Sequence, residues 1–347
     1  MSTSLFARAV PRRAGLAAAA VLALTLTACG GDSTDTADDT TPDATGGTAE
    51  STDTDAEAPA EQVDLTVGVI PILDVAPIYL GVQEGFFEEE GLNVTLELAQ
   101  GGAAIIPGVT SGQFQFGFSN VVSLLLAESN DLGIRAIANG AQSTDDPMED
   151  FGAVNVPGDS DIQDLTDLAG KRVGVNTLNN IQTTTINEIV RKAGGDPSTI
   201  TYVELPFPDI VQAIASGDVD AGQLVEPFRT MSLNNGDRNL GSNLAGVTDN
   251  LEVAMYFTSA TYAEENADIV QRFTDALNKS LQYADENPDA AREVLGTYTN
   301  IDPAVAEAAV LPRWPGEINR DSVQLLGDLM VGDGLIPSVP DLDTLIP

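Results

Sequence analysis

The chain has 347 residues, 43% of them apolar, enough to bury the core of one large domain or two modest ones. Fifteen Lys and Arg stand against 53 Asp and Glu, a net charge of −38, which excludes nucleic acid as a partner because phosphate backbones need cationic side chains. There is no His and a single Cys, so Ser-His-Asp catalysis, disulfides and metal sites built from Cys or His are excluded too.

Residues 1–29 read as a targeting segment. Arg8, Arg12 and Arg13 form a basic front, and Gly15 to Thr27 is an apolar run of signal-peptide size, short for a membrane span. It ends in Leu26-Thr-Ala-Cys29-Gly30, which resembles the bacterial lipobox: small residues precede a cysteine whose sulfur takes a diacylglycerol. A lipid on Cys29 is therefore expected to hold the protein on the extracytoplasmic face of the cell membrane. Residues 30–62 are Gly, Ser, Thr, Asp, Ala and Pro, with ten acids and no Lys or Arg, the composition of a disordered tether.

The folded body opens with Val63 to Ile70, which alternates as a half-buried strand. Pro71 and Pro77 bracket a loop carrying Asp74. Ile78 to Phe87 has helical spacing, Leu92 to Leu98 alternates again, and Gly101-Gly102 turns the chain into Ala103 to Val109. Gln113 to Phe118 is a third alternating run that stops at Ser119-Asn120. Strands separated by helices at this spacing predict a parallel open sheet, in which ligands bind beyond the carboxyl ends of the strands. Asp74, Gly102, Ala103, Ser119 and Asn120 are the residues at those ends, joined by Asn139 at the end of a fourth strand, Gly133 to Gly140.

After Phe151 to Val156 the plan repeats. Arg172 to Val175 is a strand, the polar cluster Asn176 to Thr185 leads into a helix ending at Lys192, Thr201 to Leu205 is a strand, and a helix runs to Ala215 before a strand ending at Leu224-Val-Glu-Pro227. A helix N-terminus presents unpaired N–H groups and a partial positive charge, which suits an oxyanion without help from Lys or Arg. Thr177, Asn179, Asn180, Gln182 and Thr183 add side-chain donors there; helix capping is the other use for such residues. Glu226 and Asp74 are candidate acceptors for a ligand amine, or carboxylates tied to the protein itself. Arg229 reads as a surface arginine, or as a partner for Glu226 or for a ligand anion. Leu251 to Ser259 is a strand expected to return to the first domain. Ile269, Phe273, Leu277 and Leu281 form a helical core stripe. Trp314 sits among proline-bounded turns, a last helix spans about 320–332, and residues 335–347 read as a loose tail.

Several of these segments, in this order, resemble a known family. Val67-Gly-Val-Ile-Pro71, Ala76-Pro-Ile-Tyr-Leu-Gly81, Gly85-Phe-Phe-Glu-Glu-Glu-Gly-Leu92, Gly108-Val-Thr-Ser-Gly-Gln-Phe-Gln-Phe-Gly117 and Gly170-Lys-Arg-Val-Gly-Val175 are similar to the solute-binding proteins of ABC importers for nitrate, sulfonates and taurine, a group that includes binders of the thiamine pyrimidine precursor. The resemblance runs from about Val63 to about Ile336. It implies a type II periplasmic-binding-protein fold of class α/β, with a ligand cleft between two lobes and two hinge crossovers. Lobe 1 would be 63–150 and 252–347, lobe 2 would be 151–251. It implies a non-enzymatic protein without cofactor or metal, monomeric, that captures a small solute and delivers it to an ABC permease and its ATPase. The family has Glu-Pro where Glu226-Pro227 stands, and its counterpart of the Trp314 region can approach the cleft. The ligand is expected to be sulfonate-, taurine- or nitrate-like, with a thiamine pyrimidine precursor or a small aromatic acid as the alternative. Enzymes sharing the fold in thiamine-precursor and menaquinone synthesis, and a stand-alone surface sensor, are the other function classes.

Overall fold

The computed structural model describes residues 62–347; the expected signal segment, Cys29 and all but the last residue of the acidic tether lie outside the described residues. The strands are β1 (Val63–Val69), β2 (Leu92–Leu98), β3 (Phe116–Asn120), β4 (Ile134–Gln142), β5 (Gly152–Val156), β6 (Arg172–Val175), β7 (Thr201–Glu204), β8 (Ala221–Val225), β9 (Arg238–Asn239) and β10 (Glu252–Ser259). They form two five-stranded sheets, ordered β2-β1-β3-β10-β4 and β7-β6-β8-β5-β9. In the first, β2, β1 and β3 run parallel while β10 is antiparallel to both of its neighbours. In the second, β7, β6 and β8 run parallel and β5 is antiparallel to its neighbours. The chain passes from the first sheet to the second between β4 and β5, and back between β9 and β10.

Local sequence accounts for these elements. β1 buries Leu65, Val67 and Val69 between β2 and β3, whereas the edge strand β2 alternates buried or half-buried Leu92, Val94 and Leu96 with exposed polar residues. The expected helical stripe is core: Phe273, Leu277 and Leu281 are buried on the helix Ala267–Glu286, and Phe273 stacks on Phe116 with ring centroids 3.8 Å apart. That helix lies against the helix Ala76–Gln83, where Gly81 is required, because a Cβ there would fall 1.9 Å from Ser280 Oγ. One apolar core cluster runs continuously from the first sheet to the layer of helix Phe207–Ser216, and a smaller one covers the other face of the second sheet around Val154, Val173 and Ile186.

The tail beyond Leu335 is a correction to the sequence reading. Residues Leu342–Leu345 form a helical turn, Ile336, Leu345 and Ile346 are buried, and Arg320 donates to the carbonyl of Ile346. Irregularly spaced apolar residues among prolines carry no periodic signal, yet each buried side chain still contributes about 1.5–3 kcal/mol.

A polar contact joins the helix Ile181–Lys192 to the end of the helix Arg320–Gly332. Asp333, the C-cap of the latter, accepts from Asn187 Nδ2 at 2.9 Å and pairs with Arg191. Tyr202 donates to Asn187 Oδ1 at 2.8 Å, which turns the amide nitrogen toward Asp333. An acid at a helix C-terminus is disfavoured by the macrodipole, so its placement here depends on the facing cation. Arg191 is 42% exposed, so solvent screening keeps the pair near 1 kcal/mol. Arg191→Ala is expected to lower Tm by roughly 2–4 °C. The double variant Arg191→Ala with Asp333→Ala should be less destabilised than Arg191→Ala alone, as a thermal-melt double-mutant cycle will read.

Candidate functional site

Between the two sheets lies a cavity of about 50 Å³. From the first sheet's side come Ile70, Ile72 and Asp74 after β1, Gly102 after β2, and Phe118 and Asn120 at the end of β3. From the second come Asn176, Asn180, Ile181 and Gln182 after β6, Phe207 after β7, and Gln223 and Val225 on β8. These are the carboxyl ends of the parallel strands of both sheets, where open α/β sheets bind ligands. One water needs about 10–15 Å³, so the cavity admits a few waters, and an organic ring enters only as the walls part. Two wider recesses adjoin it. One, of about 280 Å³, shares Ile70 and Phe207 with the cavity; the other, of about 350 Å³, shares Asn176. A larger groove of about 520 Å³ lies over the peripheral helices Pro288–Glu293 and Pro303–Ala308, away from every strand end and without converging buried polar groups.

The loop carrying Asp74 is pinned from three directions. Trp314 Nε1 donates to the Asp74 carbonyl at 3.1 Å, Tyr298 donates to the Ile72 carbonyl at 3.1 Å, and Leu73 N donates across the cleft to the Glu226 carbonyl at 3.0 Å. The Asp74 side chain is 2% exposed, and its Oδ2 has no hydrogen-bond partner. Burial, together with the nearby acids Asp150 and Glu226, raises the Asp74 pKa to about 7, against the pull of its own backbone N–H.

Opposite, the amides are mostly committed. Asn180 and Thr183 form a capping box on the helix Ile181–Lys192. Gln182 Oε1 accepts from Asn176 N at 2.6 Å and from Asn180 Nδ2 at 3.2 Å, and its amide nitrogen donates to Gln223 Oε1. That bond uses the oxygen of Gln223 and leaves its buried Nε2 without a partner. Asn120 Oδ1 caps its own helix through Ser123 N at 3.0 Å and reaches Ile181 N at 3.4 Å, joining the two sheets' layers. Gly102 opens the helix Gly102–Thr110, which has no side-chain cap; a Cβ on Gly102 would fall 2.0 Å from the unpartnered Ser119 Oγ. One unpartnered acceptor, on Asp74, and one unpartnered donor, on Gln223, therefore belong to residues that line this space from the two sheets' sides.

The NMT1/THI5-like family profile matches residues 73–291. The chain belongs to the NMT1/THI5-like family. This NMT1/THI5-like protein is 27% identical over 231 residues to the formylaminopyrimidine-binding protein of Halalkalibacterium halodurans, covering 65% of this chain and 67% of the relative. It is 26% identical over 246 residues to the 4-amino-5-hydroxymethyl-2-methylpyrimidine phosphate synthase of Aspergillus parasiticus, covering 65% and 69%. Among solved structures it superposes on the alkanesulfonate-binding protein SsuA of Xanthomonas axonopodis pv. citri with a TM-score of 0.69, at 20% identity, over 82% of this chain and 99% of that one. The fold is that of the periplasmic binding proteins.

Of the residues singled out in the sequence of this NMT1/THI5-like protein, Asp74, Gly102, Asn120 and Gln182 line the cavity, and Asn180 and Asn176 join them from the expected polar cluster. Ala103 and Thr177 line the outer recess instead. Ser119 is buried beneath Gly102, Thr183 is spent on the capping box, and Asn179 is an exposed turn residue with φ of 53°. Asn139 is buried and donates to the Pro315 carbonyl at 2.8 Å, outside the cavity. Trp314 is 2% exposed and packs behind the Asp74 loop rather than lining the space. Glu226 does not line it either: its carboxylate accepts from Arg229 Nη1 at 3.1 Å, Thr230 N at 3.0 Å, Thr230 Oγ1 at 2.9 Å and Val310 N at 3.3 Å. Arg229 is buried rather than at the surface, because it takes the other expected role and neutralises Glu226. Gln223 was missed; a lone amide within the buried strand Ala221–Val225 is the signal that marks it.

Proposed function

We propose that this protein is the extracytoplasmic solute-binding component of an ABC importer, held to the membrane by a lipid on Cys29 and the acidic tether at 30–62. The division proposed is lobe 1 from 63–150 and 252–347 and lobe 2 from 151–251, hinged at the two chain crossings. A solute enters from the outer recesses, the lobes close on it as a monomer, and the closed form docks on a permease whose ATPase powers import. The observation that carries this reading is the cavity itself, walled from both sheets and holding one unpartnered acceptor and one unpartnered donor.

The lining supports one solute class over the other. No Lys or Arg lines the cavity, and a carboxylate does. Sulfonate, nitrate and carboxylate therefore fit less well than a small nitrogen-bearing ring. The uncapped helix at Gly102 and the amide of Gln223 supply donors for such a ring's acceptor atoms, and Phe118, Phe207, Ile70 and Ile181 supply apolar walls. The relative named as a formylaminopyrimidine-binding protein supports the same class. Relatives named as pyrimidine phosphate synthases raise an enzymatic reading; the absence of His from the whole sequence weighs against it by removing the commonest general base. Among the described residues no helix is long and apolar enough to cross a membrane, which leaves attachment to Cys29 in this reading.

The test is thermal unfolding of the folded body against formylaminopyrimidine, aminopyrimidines, taurine, alkanesulfonates and nitrate. A solute at one hundred times its Kd adds about 2.7 kcal/mol, a rise in Tm of roughly 5 °C in a body of this size. A saturable rise with a nitrogen heterocycle is expected. A rise with nitrate or a sulfonate alone would overturn the solute class, and release of a chemically altered product would overturn the non-enzymatic role.

A further inference from the structure

The charge of the solute can be read from the surroundings of Asp74. Its carboxylate lines the cavity, is 2% exposed, and leaves Oδ2 without a partner. None of the residues lining the cavity is cationic. The one buried guanidinium nearby, Arg229, is committed to Glu226 at 3.1 Å. The titratable groups that bear on Asp74 are Asp150, Glu226, Tyr256 and Tyr298, which are acidic or neutral; the Tyr256 hydroxyl is itself buried without a partner and brings no charge. Tyr298 and Trp314 hold the loop through backbone carbonyls and leave the carboxylate unused. A buried carboxylate without a counter-charge is costly: it takes a proton or needs a cation to pair with. The chain's net charge of −38 favours the approach of cations over anions, within a screening length of about 8–10 Å.

We propose that the site takes its solute as a cation, a protonated nitrogen base whose N–H groups donate to the Asp74 carboxylate, with Asp74 as the residue that sets this selectivity. The proposal rests on the solute-binding reading and narrows it: a neutral ring satisfies the apolar walls and Gln223 and leaves Asp74 to a proton, whereas a cation draws Asp74 into its ionised form. Proton linkage then has a definite sign. Near pH 6 the empty site carries Asp74 largely protonated, since burial holds its pKa at about 7. A bound cation stabilises the ionised form, so binding expels that proton and affinity rises with pH up to about 7. A protonated Asp74 serving as a donor to a neutral solute gives the opposite slope.

The experiment uses matched pairs that differ by amine against hydroxyl. These are the 5-aminomethyl and 5-hydroxymethyl forms of 4-amino-2-methylpyrimidine, and taurine against isethionate. Calorimetric titration at pH 6, in buffers of different ionisation heat, counts the protons released. The amine of at least one pair is expected to bind about thirtyfold or more tighter than its hydroxyl partner, with release of close to one proton. Asp74→Asn, whose fold is checked by its melting temperature, should erase that preference and the proton release together. Equal or tighter binding of the hydroxyl members, proton uptake, or an amine preference that survives Asp74→Asn would each overturn the proposal. So would binding of nitrate or a sulfonate with no binding of either amine. If no solute of any class binds, the solute-binding reading itself falls.

Discussion

Arg229→Ala is expected to destabilise the protein by about 3 kcal/mol at pH 7.5, as measured by urea unfolding. Arg229 and Glu226 have side chains 7% and 0% exposed, so removing the guanidinium strands a carboxylate away from water. Burial pushes the Glu226 pKa up, while Arg229, the N–H and hydroxyl of Thr230, and Val310 N hold the ionised form. Without Arg229 that balance tips, and Glu226 relieves its burial by taking a proton. The loss should therefore be smaller at pH 5 than at pH 7.5. The double variant Arg229→Met with Glu226→Gln is expected to recover most of the loss, because two neutral side chains of similar volume remove the cost of burying a charge. A loss below about 1 kcal/mol in Arg229→Ala would mean that the carboxylate finds water. The pair also lies where the two sheets' sides meet: the Glu226 carboxylate accepts from Val310 N, and its backbone carbonyl accepts from Leu73 N.

Stability should fall as pH rises from about 4.5 to 8, and Glu252→Gln should flatten that slope. Glu252 begins β10, where the chain returns to the first sheet, and it is fully buried. Its Oε2 accepts from Gln142 Nε2 at 2.7 Å and from Asn319 N at 2.7 Å, and its Oε1 has no partner. Burial raises its pKa to about 8 against the pull of those two donors. The folded state thus holds a proton that the unfolded chain releases above about pH 4.5. By linkage, the stabilisation is complete below the unfolded value and is lost as pH rises toward the folded one. At about 1.4 kcal/mol per pH unit, the loss across the window is on the order of 3–5 kcal/mol. An amide keeps an oxygen for both donors and never ionises, so Glu252→Gln should be the more stable protein at pH 8 and close to wild type at pH 4.5. Asp74, with a pKa of about 7, leaves a residual slope of the same sign in that variant. Melting curves at half-unit pH steps read both effects; parallel profiles for the two proteins would place an ionised Glu252 in the folded state at neutral pH.

The sequence by itself determined the elements and their sheets. The alternation of Val63 to Ile70 and Leu92 to Leu98, the stripe from Phe273 to Leu281 and the glycine turns are local patterns, because strand and helix periods follow from which face each side chain must hide. It also determined which chemistry was absent, since no fold supplies a missing His. Asp74, Gly102, Asn120 and Gln182 were legible as candidates because strand ends can be counted along the chain. Tertiary structure alone decided which of the polar residues at those ends stay free. Glu226 and Asp74 look alike as sequence, but Arg229 lies one helical turn from Glu226 and answers its charge, while nothing answers Asp74. Asn180 and Thr183 spend themselves on a helix cap, and Gln182 uses the oxygen of Gln223, forty-one residues away, leaving only its nitrogen free. Trp314 reaches Asp74 across 240 residues to hold a backbone carbonyl rather than a ligand. Whether a polar group is spent or available depends on partners that are distant in sequence, because a buried donor or acceptor is satisfied by proximity in space.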